Sequence, residues 1–256
     1  MTVKVHREVV ELEALGEARK TTLARGLYAA HVKIFRGILP KDFNQYVMNS
    51  GARLTRIAIY RNERGCIIGY CALHFHDREV FQYSKACVIR IQSGMLPEYR
   101  GRNRNMPFII DQLLRYKLFN PRKRLLFLGA MIHPSSYVLL TKYMDNVWPS
   151  CDVQDQGYTS FLEHLIEQFD FKRSRRDPLL VDTGVITTGV ELERARRAAV
   201  GNPDVRFFLE RNPEYHKGYG LLTVCPVTLK GLFTAARRFL HEALLKRWQY
   251  RKACKD

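Results

Sequence analysis

Residues 86–118 decide the fold: ACVIRIQSGMLP (86–97), EYRGRNRN (98–105) and MPFIIDQLLRYKL (106–118). The first segment predicts a β-strand, and the last predicts an amphipathic helix from Met106 to about Leu118 because its apolar residues recur at helical spacing. The basic turn between them leads into the helix N-terminus, where unpaired N–H groups and the helix dipole favour phosphate. The turn also contains three arginines, and each guanidinium can bind a phosphate through two hydrogen bonds at once. The stretch therefore predicts a pyrophosphate site.

This turn resembles the coenzyme A loop of the GCN5-related N-acetyltransferases (the GNAT superfamily), which runs Gln/Arg-x-x-Gly-x-Gly/Ala after a hydrophobic-x-Pro. Arg100 takes the first position, and Asn103 and Asn105 stand where the two glycines occur. Asn is the non-Gly residue that best tolerates left-handed backbone, so the loop can still close. The alternative is a charged surface turn before an ordinary helix. The resemblance implies that the following residues bind an acyl-CoA: Met95, Leu96, Arg100, Gly101, Arg102, Asn103, Arg104 and Asn105.

The neighbouring segments follow the order of the same family. Thr55–Arg61 and Cys66–Phe75 predict two strands joined by a hairpin turn at 62–65, and a short polar link precedes the strand at 86. Leu125–Ile132 then predicts a buried strand and His133–Tyr143 a helix. In the acetyltransferases a hairpin meets a β-α-β-α unit in this order. The expected fold class is therefore α/β, an acyl-CoA N-acyltransferase-like mixed sheet flanked by helices, plus a mostly helical C-terminal extension.

The two ends of the chain are less regular. Val9–Phe35 is expected to be mostly helical. In the C-terminal third, helices are expected at 157–171 and 191–200, and strands at 179–187, 204–210 and 221–225. The last two strands would close the acyltransferase sheet. We therefore expect an acyltransferase-like domain at 1–225, with core motifs in 55–150 and an insertion at 151–200, followed by a basic amphipathic helix at 226–256.

Charge and composition limit the class of protein. The chain has 42 Lys and Arg against 25 Asp and Glu, a net charge of +17, which attracts polyanions. No zinc-finger, RNP or basic-plus-heptad pattern accompanies that charge. The sequence contains no apolar signal core or membrane-length apolar run, and its six scattered cysteines favour a reducing compartment and core-filling roles. We therefore expect a cytoplasmic protein. The alternative left open is a cytoplasmic protein that attaches peripherally to a membrane.

The final helix, Leu229 to about Trp248, carries apolar residues at i, i+3, i+4 spacing and basic residues on its other faces. A basic amphipathic helix that ends in Trp can lie on an anionic membrane. The alternative is a helix that packs on its own domain or on a partner subunit, which would make a homodimer.

Catalysis, by the resemblance, would be direct attack of an amine on a thioester. A backbone N–H at the end of the strand that begins at Ala86, near Leu96, would stabilise the oxyanion, and Tyr143 or Tyr137 would protonate the leaving thiolate. For the base the candidates are His74, His76 and Glu79, because His74 and His76 share one strand face. The alternatives are a buried helix aromatic at 143 and partly exposed strand histidines. A metal at the two histidines lacks a third ligand at a recognisable spacing, so no metal is expected.

Two functions follow from these patterns. The first is an acyl-CoA-dependent N-acyltransferase that moves an acetyl or other acyl group to an unidentified amine, which the positive field suggests is acidic or phosphate-bearing. The second is a catalytically inactive GNAT-like protein that binds an anionic surface, either membrane or nucleic acid. The substituted glycines and the lack of an obvious glutamate base favour the second, and acyl-CoA binding would separate the two.

Overall fold

The computed structural model describes residues 4–80, 83–101, 103–151, 158–187 and 201–253. The helices are α1 Glu17–Ile34, α2 Pro40–Phe43, α3 Asn105–Phe119, α4 Pro134–Tyr143, α5 Tyr158–Gln168, α6 Pro203–Arg211 and α7 Leu229–Ala253. The strands are β1 His6–Glu11, β2 Phe35–Arg36, β3 Leu54–Arg61, β4 Ile67–Val80, β5 Tyr83–Met95, β6 Arg124–Met131, β7 Lys172–Arg173, β8 Leu180–Asp182, β9 Ile186–Thr187 and β10 Tyr219–Pro226.

Eight of these strands form one mixed sheet in the order β1-β3-β4-β5-β6-β10-β8-β7, and β2 pairs separately with β9. Within the main sheet β5 and β6 run parallel, and the other neighbouring pairs run antiparallel. Helices α3 and α4 follow β5 and β6 in turn, as the crossover between parallel strands requires. The predicted mixed α/β sheet flanked by helices, with the hairpin and the β-α-β-α unit in the expected order, is confirmed.

The hairpin at 62–65 forms as its sequence predicts. The Asn62 side chain accepts from the backbone N–H groups of Arg64 and Cys66, and Gly65 takes a positive φ of 76°. An Asx turn followed by a left-handed glycine is a standard way to reverse a chain between two strands. Beyond the turn, however, β4 is longer than the sequence indicated. It continues through the predicted polar link to Val80, because Asp77 and Arg78 pair with Cys87 and Ala86 of β5.

The N-terminal segment is only partly helical, which corrects the expectation for Val9–Phe35. Residues His6–Glu11 form the edge strand β1 on β3, and the helix begins only at Glu17. The edge position explains the pattern, because β1 exposes most of its side chains and so shows little hydrophobic periodicity.

The segment 204–210 is a helix, and the prediction of a strand there was wrong. The Asn202 side chain caps α6 by accepting from the N–H groups of Asp204 and Val205, and Pro203 occupies its first turn. Val205 and Phe208 then fall one helical turn apart and are both buried. The cap and proline signals outweigh the local β-propensity of Val, Phe and Phe.

Two of the remaining C-terminal predictions, one strand and one helix, agree with the structure. The strand at 221–225 is confirmed within β10, which pairs with β6, and α5 lies within the expected helix at 157–171. The expected strand at 179–187 occurs as two short strands, β8 and β9. The expected helix at 191–200 lies outside the described residues. Because β7 and β8 extend the main sheet beyond β10, part of 151–200 belongs to that sheet, and the predicted domain bounds stay a prediction.

The final helix α7 has two different halves. Its first half packs on the domain, where Ala235, Ala236 and Phe239 join Met106 and Ile110 of α3 and Tyr143 of α4 in one apolar cluster. From Leu240 onward, every side chain with a described exposure is exposed except half-buried Glu242. The alternative of packing on its own domain therefore holds for the first half of the helix. No helix in the described part of the chain is long and apolar enough to span a membrane.

Candidate active site

The parallel strands β5 and β6 separate after four paired residues. Their ladder runs from Ala86 with Arg124 to Ile89 with Phe127, and no pair is formed beyond that point in these two fully described strands. Strand β5 continues to Met95 on β4, whereas β6 continues to Met131 on β10. The residues after Ile89 and after Phe127 therefore border a widening gap, and alternate backbone groups of each strand point into it.

The loop at the end of β5 contains two positive φ angles, 86° at Gly101 and 45° at Asn103. Asn103 thus adopts the left-handed backbone that the sequence required of it. A Cβ on Gly101 would meet no atom within 4 Å, so the loop is open at this point. Asn105 is the first residue of α3, and no described side chain caps the helix N-terminus. In this first turn the Met106 N–H donates to the carbonyl oxygen of Asn103 at 3.0 Å and Pro107 has no N–H, so the helix dipole rather than a set of free N–H groups favours a phosphate here.

Arginines and a buried tyrosine set the shape of this loop. The Arg100 guanidinium turns back, and its Nε donates to the carbonyl oxygen of Met95 at 2.9 Å. The hydroxyl of Tyr60, buried in β3, donates to the carbonyl oxygen of Arg104 at 3.0 Å, and burial raises the pKa of Tyr60. Both contacts hold the backbone of the loop from the strand side. Arg102 lies outside the described residues.

The N–H of Leu96 itself, near which the oxyanion donor is predicted, is engaged within the sheet. It donates to the carbonyl oxygen of Ile68 at 2.9 Å and so continues the β4–β5 pairing past Met95. A donor already used in this way does not point into the gap. The backbone groups that border the gap belong to earlier residues of β5, those that follow Ile89.

Tyr143 lies beside the loop and beneath α7. Its hydroxyl donates to the Glu242 carboxylate at 3.2 Å, and burial, followed by the charge of Glu242, raises the pKa of Tyr143. The Asn103 side chain lies close enough to this hydroxyl to lower its pKa, which places Tyr143 beside the loop. Glu242 receives a second contact from Lys142 at 2.7 Å. Tyr137, the other candidate, donates its buried hydroxyl to the carbonyl oxygen of Pro149 at 2.9 Å, a structural contact within its own region of the fold.

His74 and His76 are fully buried, which corrects the alternative of partly exposed strand histidines. The Nδ1 of His74 is within hydrogen-bond distance of Ser50 Oγ (2.9 Å) and Thr55 Oγ1 (3.1 Å). Burial, followed by His76 and Arg90, lowers the pKa of His74 to about 3, and burial, followed by Arg90 and Arg78, lowers the pKa of His76 to about 3. Both imidazoles are therefore neutral at pH 7 and are weak bases.

Glu79 lies far from the loop. It is exposed near the opposite end of β4, about 33 Å from Gly69, the residue that pairs with Met95 (ten residues at about 3.3 Å each). The strand extension beyond Phe75 causes this separation. The structure brings Tyr143 and Asn103 together, places His74 between the two ends of β4, and does not bring Glu79 to them.

Sequence reasoning missed a polar cluster around Arg90 on the same sheet face as His74. Arg90 pairs with His74 in the β4–β5 ladder, and Gln92 follows on the same face. A charged residue inside the apolar run Val88-Ile89-Arg90-Ile91 was the available signal. Among the described residues, no group of three or more His, Cys, Asp or Glu side chains could hold a metal.

Comparison with known proteins gives likeness of fold only. No family model matches the chain, and no curated protein matches it. Three similar solved structures are a GNAT-family N-acetyltransferase from Escherichia coli in complex with CoA (TM-score 0.38, 14% identity, 55% of this chain and 69% of that one), a GNAT-superfamily phosphinothricin acetyltransferase from Sinorhizobium meliloti in complex with acetyl-CoA (0.31, 15%, 53% and 70%), and a spermidine N-acetyltransferase mutant from Vibrio cholerae (0.33, 10%, 87% and 93%). TM-scores below 0.5 carry no argument about activity, which rests on this chain's own residues.

Proposed function

We propose that this chain is an acyl-CoA-dependent N-acyltransferase that transfers an acetyl or other acyl group directly to an amine. The main support for this proposal is the separation of strands β5 and β6 after Ile89 and Phe127. The loop beside this gap leads into the N-terminus of α3, which no described side chain caps. A gap bordered by free backbone groups suits an extended amide-containing chain, and the helix end suits a pyrophosphate. Together the two features fit the two halves of coenzyme A.

We assign phosphate binding to residues of the loop, and the acid and base roles to Tyr143 and His74. Asn103, Arg104 and Asn105 shape the phosphate site, and Arg100 and Arg102 supply positive charge around it. Tyr143 is the proposed acid that gives its proton to the leaving thiolate. His74 remains the proposed base, although a pKa of about 3 predicts a small contribution. Glu79 is too distant for that role.

Calorimetric titration with acetyl-CoA and with a longer acyl-CoA, at low and physiological salt, tests the proposal. Binding should survive physiological salt and weaken at least tenfold in Arg100→Ala. The matched control is Arg115→Ala, which removes one positive charge from the exposed face of α3. An equal loss in both variants, or binding that disappears with salt, would indicate a general attraction to polyanions and would refute a specific coenzyme site.

A second candidate function has its own observation, the exposed half of α7. Phe233, Leu240, Leu244 and Trp248 are 61%, 60%, 64% and 63% exposed. Exposed Lys230 and Arg237 lie on the same side, and the sequence adds Arg251 and Lys252 near the end of the helix. We also propose that this helix attaches the protein peripherally to an anionic bilayer, because apolar side chains among basic ones match that interface.

Co-sedimentation with vesicles of phosphatidylcholine alone and with one quarter phosphatidylserine tests this attachment. We expect binding only to the anionic vesicles, and loss of it in a Leu240→Ser, Leu244→Ser double variant. Leu118→Ser, an equally exposed leucine at the end of α3, is the control and should bind normally. Binding that the double variant retains and that duplex DNA competes away would instead assign the basic surface to nucleic acid.

A further inference from the structure

Arg90 is a half-buried cation surrounded by aromatic rings. Its guanidinium carbon lies 5.5 Å from the ring centre of Tyr46, 5.2 Å from that of Phe169 and 4.7 Å from that of Phe171. No carboxylate in the described part of the chain forms an ion pair with it. Burial lowers the pKa of Arg90, and the neighbouring Tyr46 hydroxyl opposes that shift. A guanidinium has five donors, so most of its hydrogen-bonding capacity is left for another group.

The neighbours of Arg90 add polar groups and no compensating charge. Burial keeps His74 and His76 neutral, so they add no charge, whereas Arg78, whose guanidinium carbon lies 5.1 Å from the ring centre of the same Phe169, adds a second positive charge. The Nε2 of His74 and the Oε1 of Gln92 are buried without a hydrogen bond of normal geometry, and Gln92 lies close enough to His74 to raise its pKa, so these two side chains interact with each other. The cluster therefore has the composition of a binding site for a small anion.

The position of the cluster links it to the gap between β5 and β6. Arg90 is the first residue of β5 after the last parallel pair, Ile89 with Phe127, so it stands where the gap begins. The five-residue π-helical segment Asn44–Met48, which carries Tyr46, covers the arginine from the α1 and α2 side. Such π-helical segments are frequent at functional sites. An acceptor held by Arg90 would thus lie next to the gap.

We infer that the amine acceptor also carries a carboxylate, and that Arg90 binds this carboxylate. That the bound anion is the acyl acceptor rests on the proposed acyl transfer, whereas anion binding at Arg90 rests on the contacts of Arg90 alone. A planar carboxylate matches the guanidinium fork with two parallel hydrogen bonds. Its negative charge offsets part of the positive charge of Arg90 and of Arg78, which lies over the same Phe169 ring. The aromatic rings accommodate the apolar part of the same molecule.

The experiment is a thiol-release assay with acetyl-CoA and paired acceptors. The twenty common amino acids are compared with their carboxamides and with phosphoethanolamine. We expect at least one amino acid to be acetylated with a kcat/KM at least 100-fold above that of its carboxamide. In Arg90→Gln this preference should fall below tenfold, and Arg90→Lys should retain part of it. Acetyl-CoA binding, measured by calorimetry, should change less than twofold in both variants. Arg115→Gln is the charge-matched control and should keep the wild-type preference.

The outcomes separate this inference from the proposed function. Equal turnover of acids and carboxamides, preference for phosphoethanolamine, or absence of turnover of every amino acid while acetyl-CoA binds would overturn the inference and leave the coenzyme site intact. Failure to bind acetyl-CoA would refute the proposed function instead. In that case thermal unfolding with the amino acids decides the anion site, since a rise in Tm that Arg90→Gln abolishes supports it and no rise overturns it.

Discussion

Asn103 offers a direct test of how the loop geometry is used. Its φ of 45° lies in the left-handed region, which costs a residue with a Cβ about 1–2 kcal/mol unless its side chain compensates. Alanine and glycine at 103 both lack the amide, so the difference between these two variants isolates the backbone term. Glycine loses about 0.4–1 kcal/mol through its freer unfolded chain. The net expectation is that Asn103→Ala is about 1 kcal/mol worse than Asn103→Gly.

This energy difference between the alanine and glycine variants should appear either in the free energy of unfolding or in the affinity for acetyl-CoA. If the alanine variant keeps the left-handed loop, the free energy of unfolding falls by about 1 kcal/mol relative to glycine. If the loop relaxes, unfolding is unchanged and the Kd for acetyl-CoA rises about fivefold, since about 1.4 kcal/mol corresponds to a factor of ten. Urea unfolding and calorimetric titration measure the two quantities, whose sum should stay near 1 kcal/mol.

Asn146 provides the matched control. Its φ is 54°, it is exposed, and it lies outside the loop. Asn146→Ala should lose about 1 kcal/mol of stability relative to Asn146→Gly, with no change in acetyl-CoA affinity. Equal stability and equal Kd for the alanine and glycine variants at 103 would refute the reasoning, because the loop would then not need its left-handed residue at all.

The remaining predictions concern Tyr143 and Tyr137, the pH dependence of stability at His74 and the cap of α6. Tyr143→Phe should lower kcat at least 100-fold once an acceptor is known, whereas Tyr137→Phe should leave kcat unchanged; both should cost about 1 kcal/mol of stability, since each removes one hydrogen bond. Equal kcat for the two variants would remove Tyr143 from the chemistry. Acid should destabilise the fold, because the unfolded chain protonates His74 near pH 6.5 and the folded one only near pH 3; urea unfolding should show a loss of about 1.4 kcal/mol per pH unit below 6.5 from this residue, absent in His74→Gln. Asn202→Ala should cost about 1 kcal/mol by removing the cap of α6, without changing acetyl-CoA affinity.

Local patterns determined much of this molecule. Apolar runs and helical spacing predicted β3, β6, β10, α3, α4 and most of α7, and the Asn62–Gly65 turn followed from its residues alone. These elements could be predicted because each carries a periodic buried face or a turn residue with few alternatives. The loop at 98–105 was also identified from sequence, including the need for left-handed backbone at Asn103. In each case the determining interactions lie within a few residues along the chain.

Other features depended on contacts between distant residues. The strand at β1 and the extension of β4 to Val80 exist because partners on β3 and β5 pair with them, and neither partner is local. The same extension moved Glu79 away from the loop and placed Arg90 opposite His74. The parting of β5 and β6 was equally invisible, since it arises when β6 follows β10 and β5 follows β4.

The sequence by itself therefore determined the order of the strands and helices from β3 to α4, the basic loop and the character of the last helix. The tertiary structure alone decided which side chains meet: Tyr143 with Glu242 and Asn103, and Arg90 with the aromatic rings and His74. Secondary structure follows from short-range sterics and hydrogen bonding. A site, in contrast, requires groups from separate elements to converge, and only the packing of the whole sheet fixes that convergence.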